Sequence, residues 1–326
     1  MWLRRLAALA VAVALVAGAF VIRERRSPSA GRAAPGDGPP SAGGFTLVCA
    51  TELAALCAGL GAAVTVRIES AAGTAGALQA APLPRQVADA WLTVDPWPAL
   101  SDLERTRSGA KSAAFTTAPA VLGHSPVGVA LRRPRATVLA AACQGAVTLA
   151  CVGENGRRSW AELGGRADWQ VLKPTFSDPA SSATGPAALS AAIRQRRNDA
   201  DLGKTDLEAD GAFVTWLGAF LRPPSLPGTS SLADAITRFS ADAVVLPQAE
   251  FAVTAGADAQ FDFVPASAFD AQLVLAAVGD ARVPDAVRKA VAGRAQAGGW
   301  APGATAAPPV DANLVAGFQV VWRENA

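Results

Sequence analysis

The feature that most limits what this chain can fold into is an alternation that begins at Phe45. Phe45 to Ala50 is a run of β-prone apolar residues, followed by Thr51, placed as a helix N-cap, and by the helix-like Glu52 to Leu60. The unit then repeats: Val64 to Ser70 reads as a strand, Ala71 to Gly76 as a small-residue turn, and a short helix runs into Gln79. Val87 to Val94 reads as a third strand. Helical segments between strands at this spacing predict a parallel α/β sheet, because parallel neighbours need a crossover and a helix supplies it while covering the sheet face. In such sheets ligands sit beyond the carboxyl ends of the strands. Thr51, the turn Ser70 to Gly76 and Asp95-Pro96-Trp97-Pro98 all fall at those ends and are candidates for one crevice.

A second strand-turn-helix pattern lies further on. Ala118 to Pro126 leads into the apolar run Val127 to Leu131 and a helix from Ala136 to Cys143. Trp169 to Ser177 reads as a strand, Asp178 to Gly185 as a turn rich in hydroxyls, and Pro186 to Ile193 as a helix. The amphipathic run Asp210 to Leu221 ends at Arg222-Pro223-Pro224; Ala241 to Pro247 reads as a late strand and Pro284 to Ala297 as a closing helix. A terminal apolar stretch covers Leu314 to Trp322. The 326 residues exceed the roughly 250 to 300 that one core holds, so two lobes are expected.

The N-terminus carries a different signal. After Arg4 and Arg5 the chain is apolar from Leu6 to Ile22 and is closed by Arg23-Glu24-Arg25-Arg26. The run is at the lower edge of a membrane-spanning length. Ala17-Gly18-Ala19 offers a cleavage site for a secretory signal, while Phe20-Val21-Ile22 carries the apolar run past it, as an uncleaved anchor would. A cleaved signal would release the rest of the chain outside the cytoplasm and an anchor, the favoured outcome, would hold it at the membrane; basic residues flank both ends of the run, so the positive-inside rule does not by itself set the anchor's orientation. Ser27 to Gly44 is a Pro, Gly, Ser and Ala linker.

The cysteines agree with an oxidising compartment. Cys49 and Cys57 stand eight positions apart, as do Cys143 and Cys151. Of the three connectivities, the two local pairs are favoured, and Gly145 lets the chain turn between the second two; four buried reduced cysteines are the alternative. Neither spacing suits zinc.

Composition narrows the chemistry. Net charge is +2 and no basic stripe is present, which removes the footprint of a nucleic-acid binder. With no Tyr, one His and one Met, a site must rely on hydroxyls, backbone N–H groups, carboxylates and Trp. Ser108-Gly109-Ala110-Lys111 satisfies S-x-x-K without the partner motifs of a penicillin-binding enzyme, and Gly123-His124-Ser125-Pro126 breaks G-x-S-x-G at Val127. His124 is expected on the surface of a hinge. Gly203-Lys204-Thr205 lacks the upstream Gly of a P-loop, and the acidic stretch Asp199 to Asp210 reads as a solvated loop. No catalysis, cofactor or metal is expected.

The ordered set of segments resembles the bacterial extracellular solute-binding proteins of the type 2 periplasmic-binding fold, and is most similar in look to their molybdate- and sulfate-binding group. The residues that carry it are Glu69 to Thr74, Ala88 to Asp95, Lys173 to Leu189, Ala241 to Gln248 and the closing Ala295 to Pro302. The resemblance implies an α/β, two-lobe periplasmic-binding-protein-like fold with hinge crossings near Ala118 to Pro126 and Val245 to Glu250. Its parts would be a signal anchor or signal peptide at 1–26, a linker at 27–44, lobe I at 45–122 plus 246–302, lobe II at 123–245, and a C-terminal extension at 303–326. The function implied is capture of a small polar ligand, oxyanion-like, with an ABC permease or other envelope partner.

Ligand contacts would come from Thr51, Ser70, Gly73, Thr74, Asp95, Trp97, Ser125, Ser181, Ser182, Thr184 and Gln248. Hydroxyls at helix N-termini stand beside backbone N–H groups that can meet an anion. Each of these hydroxyls is also an ordinary helix cap or turn residue. Trp91 is expected in the core, and Trp97 either there or in the cleft. Glu52 and Glu69, beside the candidate turns, would repel an anion, and the absent Tyr removes one contact of the oxyanion pattern. An interaction module that kept the fold without a ligand, and a serine hydrolase, are the alternatives.

Overall fold

The computed structural model describes residues 44–61, 63–80, 83, 87–196, 211–220, 231–303 and 311–325. The N-terminal apolar run, most of the linker and the acidic segment Asp199 to Asp210 lie outside them. No described helix is long and apolar enough to cross a membrane.

The strands are β1 (Phe45–Ala50), β2 (Val64–Glu69), β3 (Ala90–Val94), β4 (Ala120–Arg132), β5 (Pro174–Phe176), β6 (Ala243–Pro247) and β7 (Phe261–Ala277). Between and after them run helices α1 (Ala54–Cys57), α2 (Ala71–Leu78), α3 (Trp97–Arg107), α4 (Arg133–Ala142), α5 (Leu149–Asn155), α6 (Gly185–Arg196), α7 (Gly211–Gly218), α8 (Ser231–Arg238), α9 (Gln248–Val253), α10 (Ala257–Gln260), α11 (Asp285–Ala297) and α12 (Ala312–Asn325). The seven strands form one sheet in the order β2-β1-β3-β7-β4-β6-β5. β1 pairs in parallel with β2 and β3, and β5 in parallel with β6.

What joins these parallel groups is an antiparallel ribbon. β4 and β7 pair from Ala120 opposite Leu275 to Arg132 opposite Phe261, with register shifts between Val121 and Gly123 and between Pro126 and Gly128. β3 attaches to the Leu273 to Ala277 end of β7, and β6 to the Val127 to Leu131 end of β4. The sheet therefore has two halves hung on opposite ends of one ribbon, with irregularities between them that let it bend. At Gly128 the ribbon allows no side chain: a Cβ there would collide with the carbonyl oxygen of Val264 and the ring of Phe263.

β3 and β6 are buried at every position, as expected of strands covered on both faces. The third strand starts at Ala90, three residues later than its sequence suggested. In the stretch Trp169 to Ser177 only Pro174–Phe176 forms a strand of the sheet, while Ala167–Trp169 is a 3-10 turn. The segment Val245 to Glu250 is the end of β6 and the first turn of α9; the second long strand is β7, which carries Pro265 and a mixed pattern that conceals its length. Helix α2 ends against a buried cation: the Arg105 guanidinium donates to the carbonyls of Leu78 and Ala80, satisfying acceptors that a helix C-terminus leaves open.

Both local cysteine pairs are disulfides, with Cα separations of 6.6 Å for Cys49–Cys57 and 5.9 Å for Cys143–Cys151. The terminal apolar stretch is α12, and it is part of the core. Its Trp322 stacks on Phe176 with ring centroids 4.9 Å apart, Phe318 meets Phe213 at 5.7 Å, and the helix also packs on α3.

Candidate functional site

Two helix N-termini from opposite halves of the sheet meet. Ser70 is extended and its Oγ accepts the Gly73 N–H at 3.1 Å, which caps α2. Across from it, Asp178 organises the turn before α6: its carboxylate accepts the Ala180 N–H at 2.9 Å and the Ser181 hydroxyl at 2.6 Å. Ser182 Oγ accepts the Gly185 N–H at 2.8 Å, and Gly185 lies so close to the carbonyls of Ser177 and Asp178 that a Cβ would clash with both. The turns then touch. The Ala72 N–H donates to the Ser181 carbonyl at 3.3 Å, and Trp97 Nε1 donates to the Ser182 carbonyl at 2.8 Å. Gln319 of α12 adds a bond to the Pro179 carbonyl at 2.7 Å.

Behind this contact are two carboxylates. Glu52, in the turn after β1, has a fully buried Oε2 with no hydrogen-bond partner. Burial pushes its carboxyl up from the ordinary value, partly offset by its own backbone N–H and that of Ala183. Glu250, in the first turn of α9, is 5% exposed, and neither of its carboxylate oxygens has a partner. Burial, with repulsion from Glu52 as the lesser cause, pushes it up to about 8. The Thr184 hydroxyl faces Glu250 and draws it slightly down, yet the two are not in good hydrogen-bond geometry and the hydroxyl is itself buried without a partner. Desolvation opposes ionisation of both carboxylates, and no arginine or lysine among the described residues forms an ion pair with either.

Thr74 is buried, with its hydroxyl 3.4 Å from Glu69 Oε2, and Gly73 is exposed. Glu69 itself pairs with Arg67. Thr51 opens a 3-10 turn rather than capping a helix: the cap position is Ala50, with no side-chain bond. Asp95 is half-buried and its N–H donates to the Gln272 carbonyl at 2.9 Å. Gln248 is exposed. Ser125 is fully buried and its Oγ accepts the Ala249 N–H at 2.9 Å, which fixes the start of α9 and so the position of Glu250.

Trp91 is in the core, 6.3 Å from the Trp97 ring. His124 is half-buried on β4, with Nδ1 3.0 Å from Asp270, rather than on the surface. Its ring and the Ser125 hydroxyl serve different partners, as neighbours on a strand do, and Ser108 Oγ donates to the Glu104 carbonyl. Neither sequence motif forms a nucleophile-base pair. Sequence reasoning noticed Glu52 only as a repulsive neighbour and missed Glu250. The one available signal was its position three residues beyond the end of a fully apolar strand, where an acid needs an explanation.

This architecture, mixed α/β with two half-sheets joined by long strands, is similar in fold to solved periplasmic binding proteins. The periplasmic binding protein AfuA from Actinobacillus pleuropneumoniae, solved with exogenous fructose-6-phosphate bound, aligns over 87% of this chain and 98% of its own at a TM-score of 0.53 and 12% identity. A periplasmic thiamin-binding protein aligns over 86% and 94% at 0.51 and 12% identity. The periplasmic binding protein P5PA aligns over 82% and 88% at 0.50 and 13% identity. No protein-family model matches the chain, and no curated protein sequence matches it significantly.

Proposed function

We propose that this protein is an extracytoplasmic solute-binding protein that captures a small polar ligand between two lobes, for uptake or sensing, without transforming it. Lobe I would comprise 45–122 plus 246–302 and lobe II 123–245, with 303–326 as an extension; the first 26 residues would anchor the chain to the bacterial envelope or direct its secretion, and 27–44 would be the linker to the folded module. An ABC permease or another envelope protein would be the partner. The observation that carries this reading is the meeting of the capped N-termini of α2 and α6, from opposite half-sheets, through Ala72–Ser181 and Trp97–Ser182. Groups that belong to different halves and are within bonding distance are those a hinge motion would part and a ligand would bridge. The similar folds whose descriptions mention thiamin and fructose-6-phosphate agree with a binding role and leave the ligand class open.

An oxyanion would use the N–H groups and hydroxyls of Ser70, Thr74, Ser181, Ser182 and Thr184, with Thr51, Gly73, Asp95, Trp97, Ser125 and Gln248 around them. Against that preference stand Glu52 and Glu250. Thermal-shift screening against oxyanions, sugars, amino acids, amines and divalent ions tests the receptor reading; stabilisation by none of them removes it.

A second reading is an envelope interaction module. The observation favouring it is that the facing turns are bonded to each other directly. Under that reading, the two halves stay closed in solution, and small-angle scattering is insensitive to every added solute.

A further inference from the structure

A buried Glu250 beside a half-buried Glu52 with one fully buried oxygen, and no counter-cation, is costly unless something with matching donors completes them. Three oxygens are unpartnered at one place, Glu52 Oε2 and both carboxylate oxygens of Glu250, and a fourth, Thr184 Oγ1, faces Glu250 from the second half-sheet. Thr184 is 0% exposed, so its hydroxyl cannot turn to water instead. The acids come from the loop after β1 and from α9, and the hydroxyl from the residue before α6, so the group is assembled across the same contact that brings Ala72 to Ser181. We propose that Glu52, Glu250 and Thr184 form the recognition site for a primary ammonium group on a small organic ligand; the proposal rests on the solute-binding reading above.

The chemistry selects that class. An ammonium offers three N–H donors and a positive charge to three carboxylate oxygens, with the Thr184 oxygen available to one donor or to the substituent beside it. A neutral polyol donates hydrogen bonds without offsetting charge. An anion finds no positive charge here, since among the described residues no arginine or lysine pairs with either acid. For a divalent metal ion, no group of three His, Cys, Asp or Glu side chains among the described residues is placed to hold one. The raised affinity of Glu250 for protons adds a signature: a cation that ionises it displaces a proton near neutral pH.

The test is calorimetric titration of the full chain with propylamine and putrescine, beside choline, calcium and molybdate. The expected result is binding of the amines with proton release at pH 7, seen as a heat that depends on the buffer's ionisation enthalpy, and at least tenfold weaker binding of choline, whose cation has no N–H. Glu52→Gln and Glu250→Gln should each weaken amine binding at least tenfold while the free variants melt no lower than the parent; Thr184→Val, which alters no charge, should weaken it several-fold. Binding of molybdate or calcium alone, unchanged or strengthened by the Gln variants, overturns the ammonium assignment and leaves the solute-binding reading standing. Silence with every probe, together with Gln variants more stable than the parent, overturns both, because the acids are then a packed pair with no ligand role.

Discussion

Trp97 Nε1 lies 2.8 Å from the carbonyl oxygen of Ser182, so a helix of the first half-sheet is bonded to the turn that starts a helix of the second. The indole is 4% exposed and packs beside Trp91, which leaves the donor one position from which to reach across. Trp97→Phe keeps most of the apolar surface and removes only the donor. Its expected cost is about 1 kcal/mol in denaturant unfolding, the net worth of one buried hydrogen bond. A larger radius of gyration should accompany it, measured by small-angle scattering. An unchanged radius and unchanged stability would show that the bond does not hold the halves together.

Stability should depend on pH through Glu250. Its carboxyl is pushed up from 4.5 to about 8, mainly by burial and secondarily by Glu52. Between those values the folded protein keeps a proton that the unfolded chain has released. Stability is therefore fully present below the unfolded value and falls as pH rises toward about 8, by up to about 1.4 kcal/mol per pH unit. Denaturant midpoints measured from pH 5 to 8.5 check this, and in Glu250→Gln the slope over that range should flatten.

Both disulfides close short loops. Reduction should raise the intact mass by about four hydrogens, and Cys143→Ser with Cys151→Ser should lower stability by about 2 to 3 kcal/mol on loop entropy alone. A mass that does not change on reduction would remove the paired thiols altogether.

Gly128→Ala tests the ribbon. The added methyl meets the Val264 carbonyl and the Phe263 ring, and backbone cannot step aside as a flexible side chain does. The expected loss is about 1 to 3 kcal/mol, read as a lowered melting midpoint. Gly145→Ala makes no such contact, but its positive φ strains any side chain, so the expected loss there is smaller, about 1 kcal/mol.

Removing 311–326 should destabilise the protein well beyond the loss of a surface helix. It would uncover Phe176 and Phe213, which now face Trp322 and Phe318, and it would take away the bond from Gln319 to the Pro179 carbonyl. Truncation of buried aromatics typically costs about 3 to 5 kcal/mol each. Dye binding to exposed apolar surface and the unfolding midpoint report the two effects.

Much of the order of elements is legible in the sequence. The strands and helices after Phe45 and after Lys173 announced themselves through β-prone apolar runs and hydroxyl-bearing residues, which are properties of neighbouring residues. The two cysteine pairs were legible for the same reason, since eight-residue separations leave local closure the simplest connection. Ala71 to Gly76, expected as a turn, belongs instead to α2, whose helix starts directly after the Ser70 cap. β7 was not legible, because Pro265 and alternating small and polar residues hide a strand whose partner is more than a hundred positions earlier. The role of α12 was hidden too: an apolar terminal stretch says that it packs, and not against what.

The site divides the same way. Sequence alone determined that Ser70 and Ser182 would stand at the starts of helices, because an oxygen-bearing side chain before a helical run satisfies that run's own N–H groups. Only the tertiary structure decided that Glu52 and Thr184 act on Glu250, each of the three with a buried, unpartnered oxygen. Burial, and with it the pull on a carboxyl proton, is fixed by what packs around a group and not by its neighbours in the chain. Glu250 has those surroundings because β6 delivers it to the ribbon and Ser125, on the strand beside it, holds the Ala249 N–H.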